Sequence, residues 1–315
     1  MKLEDLPLLA CPETLQPLIF RGAQQGNRAS DGTLSTPDGA MQYFFKSGIP
    51  VLLPKALTQA ASSQQMHYEK IAGVYLDVRE NLPFTTEYWD YLDGLLTAAC
   101  HLVDGGSVLE ICCGDGAFLK KHFNTAKHRI GIDISPAMLA SRPQHADVTL
   151  LCADATLLPL VTASVDLVYL HGGVHHIPQR ENLFNQIYRV LKAGGRVVFL
   201  EPVDDFFVLR WLRKFIYSRS DILDATVEQA LITANTRREL SAAGFLGIDV
   251  QPCAYLAGGL FANTDVLGFM RHFASLPGHM PIARSLMFLD EVWRHIPIFK
   301  RMAMQSIISA QKPLS

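Results

Sequence analysis

The sequence predicts an α/β fold with a parallel, doubly wound sheet. Two observations carry the prediction. Short apolar runs with β-branched members recur around 107–111, 128–134, 148–153, 164–170 and 196–202, and several close on glycine or an acidic residue. Between them lie stretches with helical spacing, the clearest being Leu183, Ile187, Val190 and Leu191 in 180–192, ended by Gly194-Gly195. Strands alternating with helices place ligands at the carboxyl ends of the strands. At 315 residues the chain is long for one unit, and a prior of about 150 residues per domain implies two.

Residues 1–54 read as a small separate β-rich module. They contain Ala10-Cys11-Pro12 near the start, a Gly/Ser/Asp-rich middle and Gly48-Ile49-Pro50 at the end. This resembles the zinc-ribbon-like activator subunits of tRNA and protein methyltransferases. Zinc-binding ribbons of that kind use two C-x-x-C-type pairs, whereas here Thr14 stands three residues after Cys11 and there is no second pair. The expectation is a module without zinc ligands. Residues 55–66, rich in Ala, Ser and Gln, read as a linker or frayed helix, leaving 67–315 as the main domain.

The main domain is organised around Ser107–Ile111 and the turn Cys112-Cys113-Gly114-Asp115-Gly116, beyond which the pattern becomes helical. Glycines let a ligand approach bare backbone, and the following helix offers free N–H groups. A dinucleotide fingerprint needs a third glycine where Leu119 stands, which argues against NAD or FAD. With Glu110 at the strand end, the stretch resembles motif I of class I S-adenosylmethionine-dependent methyltransferases. Three later stretches follow in that family's order, so the resemblance spans roughly 105–202. It implies a Rossmann-like, doubly wound seven-stranded sheet, with S-adenosylmethionine as the cofactor.

The resemblance also assigns residues. Glu110, Cys112, Gly114 and Gly116 form the first cofactor turn, and Cys112 stands where the family most often has glycine. Asp133, with Ile134, closes a second strand about 20 residues beyond the glycine turn, the place of a ribose-binding carboxylate. Ser135 and Pro136 follow as cap and first residue of a helix. Asp154 and Ala155 fall at the adenine position. His171 and Gly172 open a histidine-bearing loop near the methionine end. Tyr68 and Tyr75 lie in the upstream segment that covers the cofactor in relatives. Histidine titrates near neutral pH, so His171, His175 and His176 are candidate bases, with Glu201 at the next strand tip as the competitor.

Beyond Pro202 the family core needs one more helix and two strands, which 235–245, 246–255 and 305–311 resemble. The remaining stretches, about 203–234 and 256–304, are too long for loops and should form a helical cap. Segment 203–220 is apolar, and Arg210, Arg213, Lys214 and Arg219 make it locally basic. Two readings stand for it: a lid helix, or contact with an anionic lipid surface.

Lys plus Arg number 28 against 30 Asp plus Glu, a net charge of −2, so no global positive field recruits nucleic acid. The loop after residue 170 also lacks the Asn/Asp-Pro-Pro-aromatic motif of DNA adenine methyltransferases. Six scattered cysteines without a C-x-x-C pair, and no apolar run of membrane-spanning length, read as a cytoplasmic chain. A hydrophobic share of 49% implies unusual apolar surface. The expected activity is methyl transfer to an oxygen or carbon of a small, lipophilic acceptor of the quinone, lipid or natural-product type. A non-catalytic cofactor-binding partner protein and an RNA-modifying methyltransferase are the alternatives.

Overall fold

The computed structural model describes residues 1–80, 82–102, 104–141, 147–217, 229–261, 270–273 and 276–314. The first 50 form a four-stranded antiparallel sheet of β1 (Ile19–Gln25), β2 (Arg28–Ser35), β3 (Gln42–Lys46) and β4 (Ile49–Pro50). Gly22 and Gly32 face each other across β1 and β2, and a Cβ on Gly22 would lie 2.2 Å from the Asp31 carbonyl oxygen. Two long helices follow, α1 (Gln59–Glu80) and α2 (Pro83–Cys100). The stretch expected as a linker is therefore helical from Gln59 onward.

Then come β5 (Ser107–Ile111), α3 (Ala117–His122), β6 (His128–Asp133), α4 (Pro136–Ala140), β7 (Thr149–Cys152), β8 (Val165–His171), α5 (Arg180–Val190) and β9 (Leu191–Pro202). The remainder holds α6 (Phe207–Tyr217), α7 (Thr233–Ala242), β10 (Leu246–Cys253), α8 (Leu256–Phe261), α9 (Met270–Phe273), α10 (His279–His295) and β11 (Gln305–Gln311). Among the described residues, the stretches read as a cap contain α6, α8, α9 and α10.

The seven strands run in the order β10-β11-β9-β8-β5-β6-β7, parallel except for β11, which is antiparallel to both neighbours. The order reverses between β5 and β8, where an open α/β sheet leaves a crevice at its carboxyl edge. β5 is buried along its whole length, Ser107 and Glu110 included, as expected of a central strand covered on both faces. One boundary differs from the sequence reading: α5 ends at Val190, because Leu191 already pairs with Val165 and starts β9.

The N-terminal module is joined to the main sheet. Val51 makes a parallel bridge with Cys152, and the Leu52 N–H donates to the Cys152 carbonyl at 2.7 Å, so the chain covers the free edge of β7. Leu9, Leu34 and Leu52 share one core with Leu109, Ile132 and Leu151. Cys11 is buried against Tyr43, Sγ to phenol oxygen 3.1 Å. At the seam, fully buried Asp5 accepts from Thr149 Oγ1 at 2.6 Å and meets His128 Nδ1 at 2.6 Å.

Removing one partner from a buried polar cluster leaves the others desolvated without compensation. Asp5→Ala should therefore lower stability by about 2–4 kcal/mol in urea unfolding. An unchanged midpoint would mean that the module docks through its apolar residues alone.

Candidate active site

A cavity opens at the carboxyl ends of β5, β6, β7 and β8, at the switch point of the sheet. Its floor is the turn after β5. Cys112 has φ +58, Gly114 φ +55 and Gly116 φ +74. Three residues in the left-handed region turn the chain back on itself and bring its backbone to the surface. Glu110, Cys112 and Gly114 line the cavity, as does Asp115. Gly116 is not among the lining residues; it is the N-cap of α3, and a Cβ there would lie 2.8 Å from Leu150.

Asp133 ends β6 and is held from both sides. Its Oδ2 accepts the Gly114 N–H at 3.0 Å and its Oδ1 the Ser135 N–H at 2.9 Å. The Ile134 N–H also favours the charged carboxylate, and Asp133 and Ile134 line the cavity. Burial raises the carboxyl to about 6, against the opposing pull of those N–H groups. Ser135 caps α4 through its hydroxyl, which accepts from Met138 N at 3.2 Å. Asp154 and Ala155 also line the cavity. One Asp154 oxygen is occupied by the Thr156 N–H and hydroxyl, both at 2.8 Å.

The loop after β8 divides the histidines. His171, Gly172 and His176 line the cavity; His175 and Glu201 do not. Glu201 is fully buried, accepting from Gly173 N and Val174 N at 2.7 Å each, from His175 N at 3.3 Å, and meeting His175 Nδ1 at 2.7 Å. A carboxylate engaged in this way does not reach a substrate proton, so Glu201 anchors the loop instead of competing as the base. The rings of His175 and His176 stack at 3.8 Å, and His176 Nε2 lies 2.9 Å from the Tyr68 hydroxyl. Burial, then His175 and His67, push the His176 imidazole well below its ordinary value, so it is neutral.

Tyr68 lines the cavity from α1, and the side chain of Tyr75 lies outside the described residues. Sequence reasoning missed what fixes α1 there. Gln65 Nε2 donates to the Ile134 carbonyl at 2.9 Å, Glu69 accepts the Ala137 N–H at 3.1 Å, and Gln64 joins the cavity wall. It also missed Asp93 of α2, whose Oδ1 lies 3.6 Å from His171 Nδ1, and Phe118, which packs on the His171 ring. These contacts join residues far apart in sequence, and no local pattern marks them. Cys112 packs toward Gly173, where a Cβ would sit 2.9 Å from its Sγ. Burial, together with Asp133 and Glu201, holds its thiol well above the ordinary range, so it is neither a thiolate nor a nucleophile.

Residues 109–199 match the family model described as a methyltransferase domain. The demethylmenaquinone methyltransferase of Lactiplantibacillus plantarum is 36% identical over 114 residues, 33% of this chain and 48% of the relative. Residues 109–199 carry a methyltransferase domain. The chain spans about half the length of that curated relative. Among solved structures, Haemonchus contortus phosphoethanolamine N-methyltransferase 2, in complex with phosphomonomethylethanolamine and S-adenosylhomocysteine, shares the fold. The TM-score is 0.55 and the identity 18%, covering 87% of this chain and 63% of that one. A chain from the complex of the Haloferax volcanii Trm112 methyltransferase activator with a methyltransferase gives a TM-score of 0.51 at 15% identity, covering 78% and 97%.

The residues present fit S-adenosylmethionine. Carboxylates stand at three successive strand tips, Glu110, Asp133 and Asp154, around a turn that exposes backbone. An ionised Asp133 is the better acceptor for ribose hydroxyls. Because its carboxyl sits at about 6 in the free protein, affinity for S-adenosylhomocysteine should rise with pH through that value, and be about tenfold weaker at pH 5 than at pH 7. Calorimetry across that range checks it, with Asp133→Asn expected to flatten the dependence. A flat profile in the parent would assign the ribose to another group.

Proposed function

We propose that this chain transfers the methyl group of S-adenosylmethionine to an oxygen or carbon of a small, lipophilic acceptor. The observation that carries the reading is one cavity with two chemically distinct ends: carboxylates at the tips of β5, β6 and β7, and neutral His176 on the loop after β8. The similarity to a demethylmenaquinone methyltransferase supports a ring acceptor of the quinone type.

When bound, S-adenosylmethionine supplies an electrophilic sulfonium methyl. The chain's own residues do the rest. Asp133 holds the ribose, Asp154 and the Ala155 N–H hold the adenine, and Glu110 with the glycine turn takes the methionine end. Transfer of this kind gains most from holding the reacting atoms in line, and next from removing the acceptor proton. The His176 Nδ1 makes no hydrogen bond among the described residues. In the tautomer whose Nε2–H donates to the Tyr68 oxygen, the buried Nδ1 is an acceptor, and we propose that in this form, once the acceptor is seated against it, it takes the proton. Glu201 holds the loop that presents it. Tyr68 both lines the cavity and holds the imidazole at Nε2.

The acceptor is found by incubating the protein and S-adenosylmethionine with quinone-, lipid- and phenol-rich extract fractions, then scanning by mass spectrometry for the gain of one methyl. On that acceptor His176→Ala should keep S-adenosylhomocysteine affinity and lose turnover by at least about tenfold, with a smaller loss for Tyr68→Phe. Parent-like turnover in His176→Ala would remove the base assignment and leave methyl transfer standing. Retained S-adenosylhomocysteine binding with no methylated product in any fraction would favour a cofactor-binding partner protein.

A further inference from the structure

Helices α6 and α10 of the cap each combine polar contacts to the body of the protein with large apolar side chains left in solvent. On α6, Arg210 donates to the Asp204 carbonyl at 2.7 Å and Arg213 Nε to the Asp204 carboxylate at 3.0 Å, while Phe207 and Trp211 are 72% and 68% exposed. Arginines expected at a surface are thus consumed inside, and the side chain of Lys214 and all of Arg219 lie outside the described residues. Arg213 also reaches the Met304 carbonyl at 3.5 Å, which places the inner side of α6 beside the chain leaving the turn 297–302.

α10 repeats the arrangement. Its buried Asp290 accepts the N–H groups of Tyr255, Leu256, Ala257 and Gly258, and Glu291 accepts the Tyr91 hydroxyl at 2.6 Å and pairs with Arg294 and His295. The opposite side presents Ile282, Phe288 and Val292 to solvent, and the stripe continues to Ile298, 76% exposed. Beside Ile298 stand Lys300 and Arg301, both exposed and in no ion pair with a described residue. Asp290 is buried, whereas Glu291 stays about 40% exposed beside Arg294 and His295; Lys300 and Arg301 border the apolar stripe.

We propose that this face of the cap docks on an anionic lipid surface, with Phe288, Val292 and Ile298 entering the headgroup–acyl boundary and Lys300 and Arg301 meeting lipid phosphates. A helix with an apolar face bordered by cations, outside aromatics included, is the form that lies in a membrane interface, its binding the sum of buried apolar area and attraction to anionic lipid. Charge complementarity favours lipid over a second copy of the chain. A two-fold contact centred on this turn brings Lys300 and Arg301 toward their own copies, and lysine is depleted at interface cores. The inference holds whatever the acceptor is.

Flotation of the full chain with phosphatidylglycerol vesicles in about 0.1 M salt tests it. Most of the protein should float. About fivefold less should float with phosphatidylcholine vesicles, or with phosphatidylglycerol in about 0.5 M salt. Lys300→Glu with Arg301→Glu, and separately Phe288→Ser, should each cut flotation by about fivefold or more while melting and S-adenosylhomocysteine affinity match the parent. No flotation on phosphatidylglycerol overturns the proposal, as does flotation that neither variant reduces. A dimer in solution that Phe288→Ser dissolves also overturns it, and makes this face a contact between copies.

Discussion

Backbone N–H groups at the carboxyl ends of a parallel sheet have left their ladders and must find acceptors, and this protein supplies them with buried carboxylates. Asp133 takes Gly114 and Ser135, Asp154 takes Thr156, Glu201 takes Gly173, Val174 and His175, and Asp290 takes four successive groups at the start of α8. Each carboxylate is costly to bury and is stabilised by the loop that wraps it. Site geometry and loop order are therefore the same interactions seen from two sides. The glycine turn stays open because Asp133 pins Gly114, and the histidine loop keeps its shape because Glu201 gathers it.

The same constraint separates residues that serve the loops from residues that face the cavity. Glu201 and Asp290 have their oxygens engaged by protein N–H groups and are shut away from solvent. Asp133 is also engaged by backbone N–H groups on both oxygens, but it lines the cavity. Its carboxyl at about 6 marks the strain of holding a charge there before a ligand arrives. On the other wall, His176 is kept neutral by burial and tied to α1 through Tyr68, so the helix that roofs the cavity and the loop beneath it are linked by one hydrogen bond.

Much of this was legible in the sequence because it is local. Strand, turn and helix from Ser107 to Pro202 follow from periodicity and punctuation, and Asp133 from its distance to the glycine turn. Glu201 was legible as a strand tip but not as the acceptor that gathers a loop, since its partners lie 26 to 28 residues away and only the folded loop brings them together. The Ala, Ser and Gln composition at the start of α1 left linker and frayed helix open; packing on α4, through Gln65 and Glu69, accompanies the helix. Asp93 and the inward arginines of α6 were illegible for a related reason. A charge in an amphipathic segment reads as solvent-facing until its buried partner is known.

The central claim is that the strand-tip carboxylates and the glycine turn hold S-adenosylmethionine in one orientation, with its methyl toward the histidine loop. A crystal structure of the chain with S-adenosylhomocysteine tests this directly. The account predicts ribose hydroxyls on Asp133, adenine between Asp154 and Ala155, and the sulfur facing the Gly172–His176 loop. Nucleoside bound at the histidine loop, or ribose with no contact to Asp133, would contradict it.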